Sequence, residues 1–192
     1  MGESNEYWVL SGDDAPSGAV WRQMGAEHTN IPAPPSAWKK VWRQELHCSA
    51  VHEAGHLAVA RRRGYWARAR LYYPMNGDRQ LSHWTGQTML QSNVLASDAV
   101  AIGLAGFMSE MVHFNGVSIA DCASAYAHAT DNDFTSLSKS DRAYIESVGG
   151  IDPFALQRGI ITEVAAEVAN LRAEIRREAA ILIKAAHTLR LG

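Results

Sequence analysis

From Ser36 onward the chain switches between stretches in which apolar residues recur every three or four positions and a stretch in which they alternate. The first spacing belongs to helices with one buried stripe, the second to strands with one buried face. A helix begins near Ser36, passes through Trp38, Trp42 and Leu46, and continues to about Arg63, where Gly64 supplies a stop. Ala67 to Tyr73 alternates as a strand, and Pro74 to Asp78 reads as a hairpin turn because Asn-Gly tolerates positive φ. A second strand runs from Gln80 to Trp84 or on toward Met89. Helical spacing returns from Ser92 to about Asn115 and ends at Gly116. A further helix, capped by Ser118 or Asp121, ends near His128, and Thr130 to Phe134 is polar and turn-prone.

Asp152-Pro153 then opens a last, long helix, with proline at its first position. Val164, Val168, Leu171, Ile175, Ala179, Ile183 and Leu189 follow one stripe, and Glu174, Arg177 and Glu178 interleave as a solvated face. The predicted fold class is therefore mainly α with a small β-hairpin or sheet. Residues 1–35 read as an N-terminal extension, with glycines scattered through it and Ile31-Pro32-Ala33-Pro34-Pro35 unable to form helix. Residues 36–192 form the single domain.

Composition narrows the function classes. A net charge of −2 leaves no basic excess for phosphates, which argues against a nucleic-acid partner. The one dense basic cluster, Arg61-Arg62-Arg63, sits where cations favourably meet a helix C-terminus. Two cysteines are too few for a disulfide framework in 192 residues. No signal peptide opens the sequence and no apolar run approaches the roughly 18 residues of a membrane span. A cytoplasmic location and reduced thiols are the expectation.

The chemistry concentrates in His52-Glu53-Ala54-Gly55-His56. Residues four apart on a helix share a face, so both imidazoles can reach one metal, and Glu53 beside the first ligand can serve as general base toward a metal-bound water. Two histidines and a water leave one protein ligand to find. Glu110, Asp121, His128, Asp131 and Asp133 are the candidates. Cys48, one turn before His52, reads as a buried small thiol, with an inhibitory thiolate ligand as the sharper alternative.

Ser49-Ala50-Val51-His52-Glu53-Ala54-Gly55-His56-Leu57-Ala58-Val59-Ala60 resembles the catalytic helix of FtsH-type zinc metallopeptidases. In that family a strand pair follows, then a helix bearing Ala-Gly-x-x-x-Glu, which Ala105-Gly106-Phe107-Met108-Ser109-Glu110 matches. The family's third zinc ligand is an aspartate after Asn at the start of the next helix. Thr130-Asp131-Asn132-Asp133-Phe134 looks like that segment, which makes Asp133 the implied ligand and Asp131 its competitor. Glu110 is then a carboxylate that orients a metal-bound imidazole through its free N–H. The similarity runs from about Trp38 to the C-terminus.

Departures from the family pattern are informative. These 192 residues hold no phosphate-binding loop of an ATPase module and no apolar anchor, so a stand-alone peptidase domain is the expectation, and His128-Ala129-Thr130-Asp131 stands where the family has Gly-Ala-Ser before Asn-Asp. Ser82, His83 and Trp84 occupy a strand region that is more aliphatic in the family.

The resemblance implies a zinc metalloendopeptidase that cleaves unfolded or extended polypeptides without ATP. Zn²⁺ would be held by His52, His56 and Asp133, with Glu53 as the catalytic base. Neither a membrane span nor nucleic acid enters this reading. A homo-oligomer and association with a separate partner protein both remain open. The rivals are a non-catalytic metal-stabilised interaction or regulatory domain and a metallopeptidase dedicated to cleaving a repressor.

Overall fold

The computed structural model describes residues 9–11, 39–72, 84–131 and 137–188. Six α-helices are found among them: α1 (Lys39–Arg62), α2 (Ala96–Ser109), α3 (Ile119–Asp131), α4 (Lys139–Ser147), α5 (Arg158–Asn170) and α6 (Arg172–Thr188). Three strands, β1 (Val9–Ser11), β2 (Ala67–Tyr72) and β3 (Thr85–Leu90), form an antiparallel sheet in the order β1-β2-β3. The mainly helical architecture with a small sheet agrees with the sequence pattern.

α1 is the axis of the molecule. Every residue from Glu53 to Ala60 is buried, so the helix is apolar nearly all round, as a helix enclosed by neighbours must be. It packs on α2, on α6 and on the sheet. α2 is enclosed in the same way, buried from Ala99 to Ser109. The two helices approach closely because small residues face each other. A Cβ on Gly55 would run into the Ser109 side chain and the Ala105 carbonyl. Leu46, Leu57, Ile102, Leu104 and Met108 then fill the core between them, each fully buried side chain contributing about 1.5–3 kcal/mol.

Several helix ends follow local rules. Gly64, at φ +84°, ends α1, a conformation open to glycine at low cost. Arg61 and Arg63 meet carboxylates of other helices there: Arg63 bridges Asp98 (2.5 Å) and Glu167 (2.5 Å), and Arg61 lies 3.4 Å from buried Glu178.

Some expectations are refined. The second strand is found at Thr85–Leu90, the stretch toward Met89, paired so that Ala67 opposes Leu90 and Tyr72 opposes Thr85, and Gln80 to His83 lie outside the described residues. The turn at Pro74 to Asp78 lies outside the described residues. The helix expected to start at Asp152-Pro153 is instead three elements. Asp152 caps a single 3₁₀ turn (Pro153–Ala155) through a bond from the Phe154 N–H to its carboxylate (2.9 Å), and the chain then forms α5 and α6. Leu171, at φ −87° and ψ 12°, breaks the continuous stripe between them. Apolar spacing survived this break because α5 buries one stripe against α2 and α3 and α6 buries one against α1, so the pattern alone could not reveal it. The helix after Ser92 reaches the expected end near Asn115, but α2 first widens into a π-helical segment (Glu110–Phe114) closed by the Asn115 N–H on the Glu110 carbonyl (2.8 Å).

Of the N-terminal extension, Val9–Ser11 pairs with β2, Val9 opposite Leu71. The remainder of residues 1–35, Trp8 and Trp21 included, lies outside the described residues.

Candidate metal centre

His52 and His56 lie on successive turns of α1 and face α2 and α4. Each ring is fixed by its Nδ1. The Nδ1–H of His52 donates to Glu110 Oε1 at 2.6 Å, and that of His56 donates to the Ile102 carbonyl at 2.5 Å. A backbone carbonyl and a carboxylate only accept, so Nδ1 of each ring carries a proton and Nε2 is the atom that each ring turns toward the cluster. Those two Nε2 atoms are 3.0 Å apart.

The third group is Asp141. Its Oδ2 lies 3.1 Å from His52 Nε2 and its Oδ1 3.4 Å from His56 Nε2. Tetrahedral bonds of about 2.0–2.1 Å would set donors about 3.3–3.4 Å apart, close to this triangle. The donor set is therefore one that a divalent cation fits. The space beside it is kept free by a glycine: a Cβ on Gly106 would collide with both Nε2 atoms. Among the described residues this is the group of His, Cys, Asp and Glu side chains able to hold a metal ion.

Asp141 reaches the site through the packing of α4. Ser138 caps that helix by accepting the Asp141 N–H (3.0 Å), which makes Asp141 its third residue. One turn on, fully buried Ile145 seats against Gly103 of α2, where any larger residue would collide with it. The carboxylate, on the same face as Ile145, is thereby delivered to the imidazole pair.

Glu53 is buried (5% exposed) but stands outside the triangle. Its Oε2 accepts from the Thr88 hydroxyl at 2.7 Å, and Gly86 lies so close that a Cβ there would overlap the carboxylate. β3 is thus pinned across Glu53 by its small inward-facing residues. Burial raises the Glu53 pKa, and the neighbouring imidazoles only partly offset that. Glu53, His56 and Asp141 share the wall of one cavity of about 340 Å³.

The electrostatics describe a site rich in negative charge. Burial pushes both histidine pKa values down, but carboxylates win. Hydrogen bonds to Asp141 and Glu110 hold His52 well above its ordinary value, and the charge of Asp141 chiefly raises His56. Burial works against ionisation of Asp141, yet the two imidazoles keep it far below the usual carboxylate range. Cys48, with its pKa pushed up to about 12 by burial and then by Glu110, is a protonated thiol, and it does not belong to the metal-ligating group. A thiolate ligand is not supported.

The sequence thus located His52, Glu53, His56 and Glu110, and the fold brings all four together. The expected third ligand, Asp133, lies outside the described residues, as do the side chains of Asp131 and His128. Asp121 caps α3 with Ser118 and stands apart from the site. Asp141 was missed because Ser138-Lys139-Ser140-Asp141 reads as an ordinary helix start. A signal was present nonetheless: Asp141, Tyr144, Ile145 and Val148 fall at i, i+3, i+4 and i+7, which puts an acid on an apolar stripe.

Comparison with protein-family models gives no match, and comparison with curated proteins gives none either. No helix among the described residues is long and apolar enough to cross a membrane.

Proposed function

We propose that this chain is a metal-dependent peptide hydrolase, a zinc metalloendopeptidase that acts on extended polypeptide without ATP. The observation that carries this reading is the division of labour on one turn of α1. His52 and His56 turn their Nε2 atoms toward Asp141, while Glu53 between them is held apart and lines one cavity with His56 and Asp141. A site that only stabilised the fold would have no use for a buried acid beside its ligands.

Two imidazoles and a carboxylate suit zinc with an open position. The same set also describes iron oxygenase sites, and Glu53 is what favours hydrolysis. A cation bound there supplies Lewis acidity and lowers the pKa of water. Glu53, steered by the Thr88 hydroxyl, takes a proton from water in the cavity and later returns it to the leaving nitrogen. Glu110 and the Ile102 carbonyl keep both rings in the tautomer that leaves Nε2 free. β3 stands at the edge of the sheet along the cavity, so an extended substrate can pair with its backbone.

The resemblance of the α1 motif to FtsH-type metallopeptidases supports the same chemistry. Asp141 is the aspartate that stands against both imidazoles among the described residues, and Asp133 lies outside them.

The test compares wild type with Glu53→Gln for zinc content and for hydrolysis of unfolded casein. Both proteins should carry one zinc per chain, and turnover should fall about 10²–10⁴-fold in the variant. Unchanged turnover would remove Glu53 as the base, and failure of wild type to take up zinc would remove the metal centre.

A further inference from the structure

We infer that the outer edge of β2 is a docking site for an extended segment of a second protein, and that the chain's own β1 holds the place of that segment. The inference stands apart from the hydrolase reading. β2 separates this edge from β3, and no residue of β2 lines the cavity beside the candidate metal centre.

The two edges of β2 are unequally used. All six of its residues pair with β3, from Ala67 opposite Leu90 to Tyr72 opposite Thr85. On the other edge, among the described residues, partners face only Ala69, Arg70 and Leu71, opposite Ser11, Leu10 and Val9. The sequence explains why β1 is short. Gly12, Asp13 and Asp14 follow Ser11, and glycine and aspartate are depleted in strands. The built-in strand is thus half the length of the edge it covers. It packs on β2 and α6, and residues 12–38 separate it from α1. A strand tethered at such a distance competes with a local concentration of at most about millimolar order. A separate segment that pairs along all of β2 can displace it, since each further backbone pair adds to its hold. The same edge sets the partner's chemistry. Alternate residues Ala67, Ala69 and Leu71 are buried in the core, and residues opposite them share that face. The segment that fits runs antiparallel to β2 with small or β-branched apolar residues at every second position.

The test uses the full chain and a labelled peptide, Tyr-Trp-Val-Leu-Ser-Val-Thr, which repeats Tyr7–Ser11 and puts Val-Thr in place of Gly12-Asp13. Binding is read by fluorescence anisotropy. Val9→Pro combined with Leu10→Pro, which removes the competing strand, should bind the peptide at least about tenfold tighter than wild type. Gly12→Val combined with Asp13→Thr, which lengthens that strand, should bind it at least about tenfold more weakly. Location is read by tethering in a Cys48→Ala, Cys122→Ala background. A peptide with cysteine in place of its leucine should form a disulfide with Arg70→Cys, the residue opposite Leu10, and not with Gln87→Cys on β3. Equal affinity in all three proteins, no binding to the proline variant, or tethering to Gln87→Cys would overturn the inference. A wild type that sediments as a dimer, and as a monomer with both prolines, would give the edge to a second copy of this chain and overturn the separate partner.

Discussion

Helix α1 carries two polar clusters, and they are built on opposite principles. At its C-terminal end Arg63 meets Asp98 and Glu167, and Tyr65 donates to Asp98 at 2.6 Å, so each charge faces its opposite. Three turns earlier, two imidazole Nε2 atoms and a carboxylate converge, with Glu53 and Glu110 close behind. The first cluster is complete within the chain. The second balances its carboxylates either with protons on the imidazoles, whose pKa values they raise, or with a bound cation. Burial of polar groups alone therefore does not mark a candidate functional site. What distinguishes the second cluster is that two ring nitrogens and a carboxylate converge on one point, where a cation can replace the ring protons.

That contrast can be broken most severely at the ligands. His56→Ala and Asp141→Ala should each abolish stoichiometric zinc binding, read by elemental mass spectrometry, whereas Asp98→Ala should keep one zinc per chain. Asp133→Ala is the sharpening control. If it loses zinc while Asp141→Ala retains it, the third ligand belongs to the segment before α4.

Gly106→Ala comes next. Its methyl would occupy the space against both Nε2 atoms, so zinc affinity should fall by at least about a hundredfold with the helix itself preserved. Circular dichroism beside a zinc titration separates these outcomes, and normal affinity would show that α1 and α2 can part without cost.

Metal removal should have a smaller but clear effect on stability. At a free zinc concentration about a hundred times Kd, binding adds about 2.7 kcal/mol, or roughly 5–10 °C in Tm for a chain of this size. A chelator should reverse the shift in wild type and do nothing to Asp141→Ala.

The self-contained cluster should respond least. Asp98→Asn should cost up to about 1 kcal/mol, as partly solvated ion pairs do. Its pH dependence has a fixed sign. The hydrogen bond from Tyr65 lowers the Asp98 pKa, burial opposes it, and Arg63 lowers it further. The contribution is then present above the ordinary value of 3.8 and is lost as pH falls through the folded value. Thermal melts should show the wild-type advantage over Asp98→Asn in full at neutral pH and shrinking as pH falls below 3.8.

Much of this molecule was legible as spacing. His52, Glu53 and His56 sit within two helical turns, and a repeat of 3.6 residues guarantees that the two imidazoles share a face whatever surrounds them. The mainly helical class, the stop at Gly64 and the role of Glu110 followed from short-range patterns or from a motif of the same length. The break at Leu171 was not legible, because two helices buried on one side keep a single apolar rhythm. Nor was the start of β3 at Thr85, since register depends on the partner strand. Asp141 lay furthest out of reach. Its neighbours specify a helix start and an apolar face, but its approach to His52 across 89 positions depends on Ile145 meeting Gly103. Sequence alone determined which groups could bind and move protons, because those are local properties of side chains on one helix. The tertiary structure alone brought Asp141 against the imidazole pair, because that requires two helices distant in the chain to pack at a single glycine.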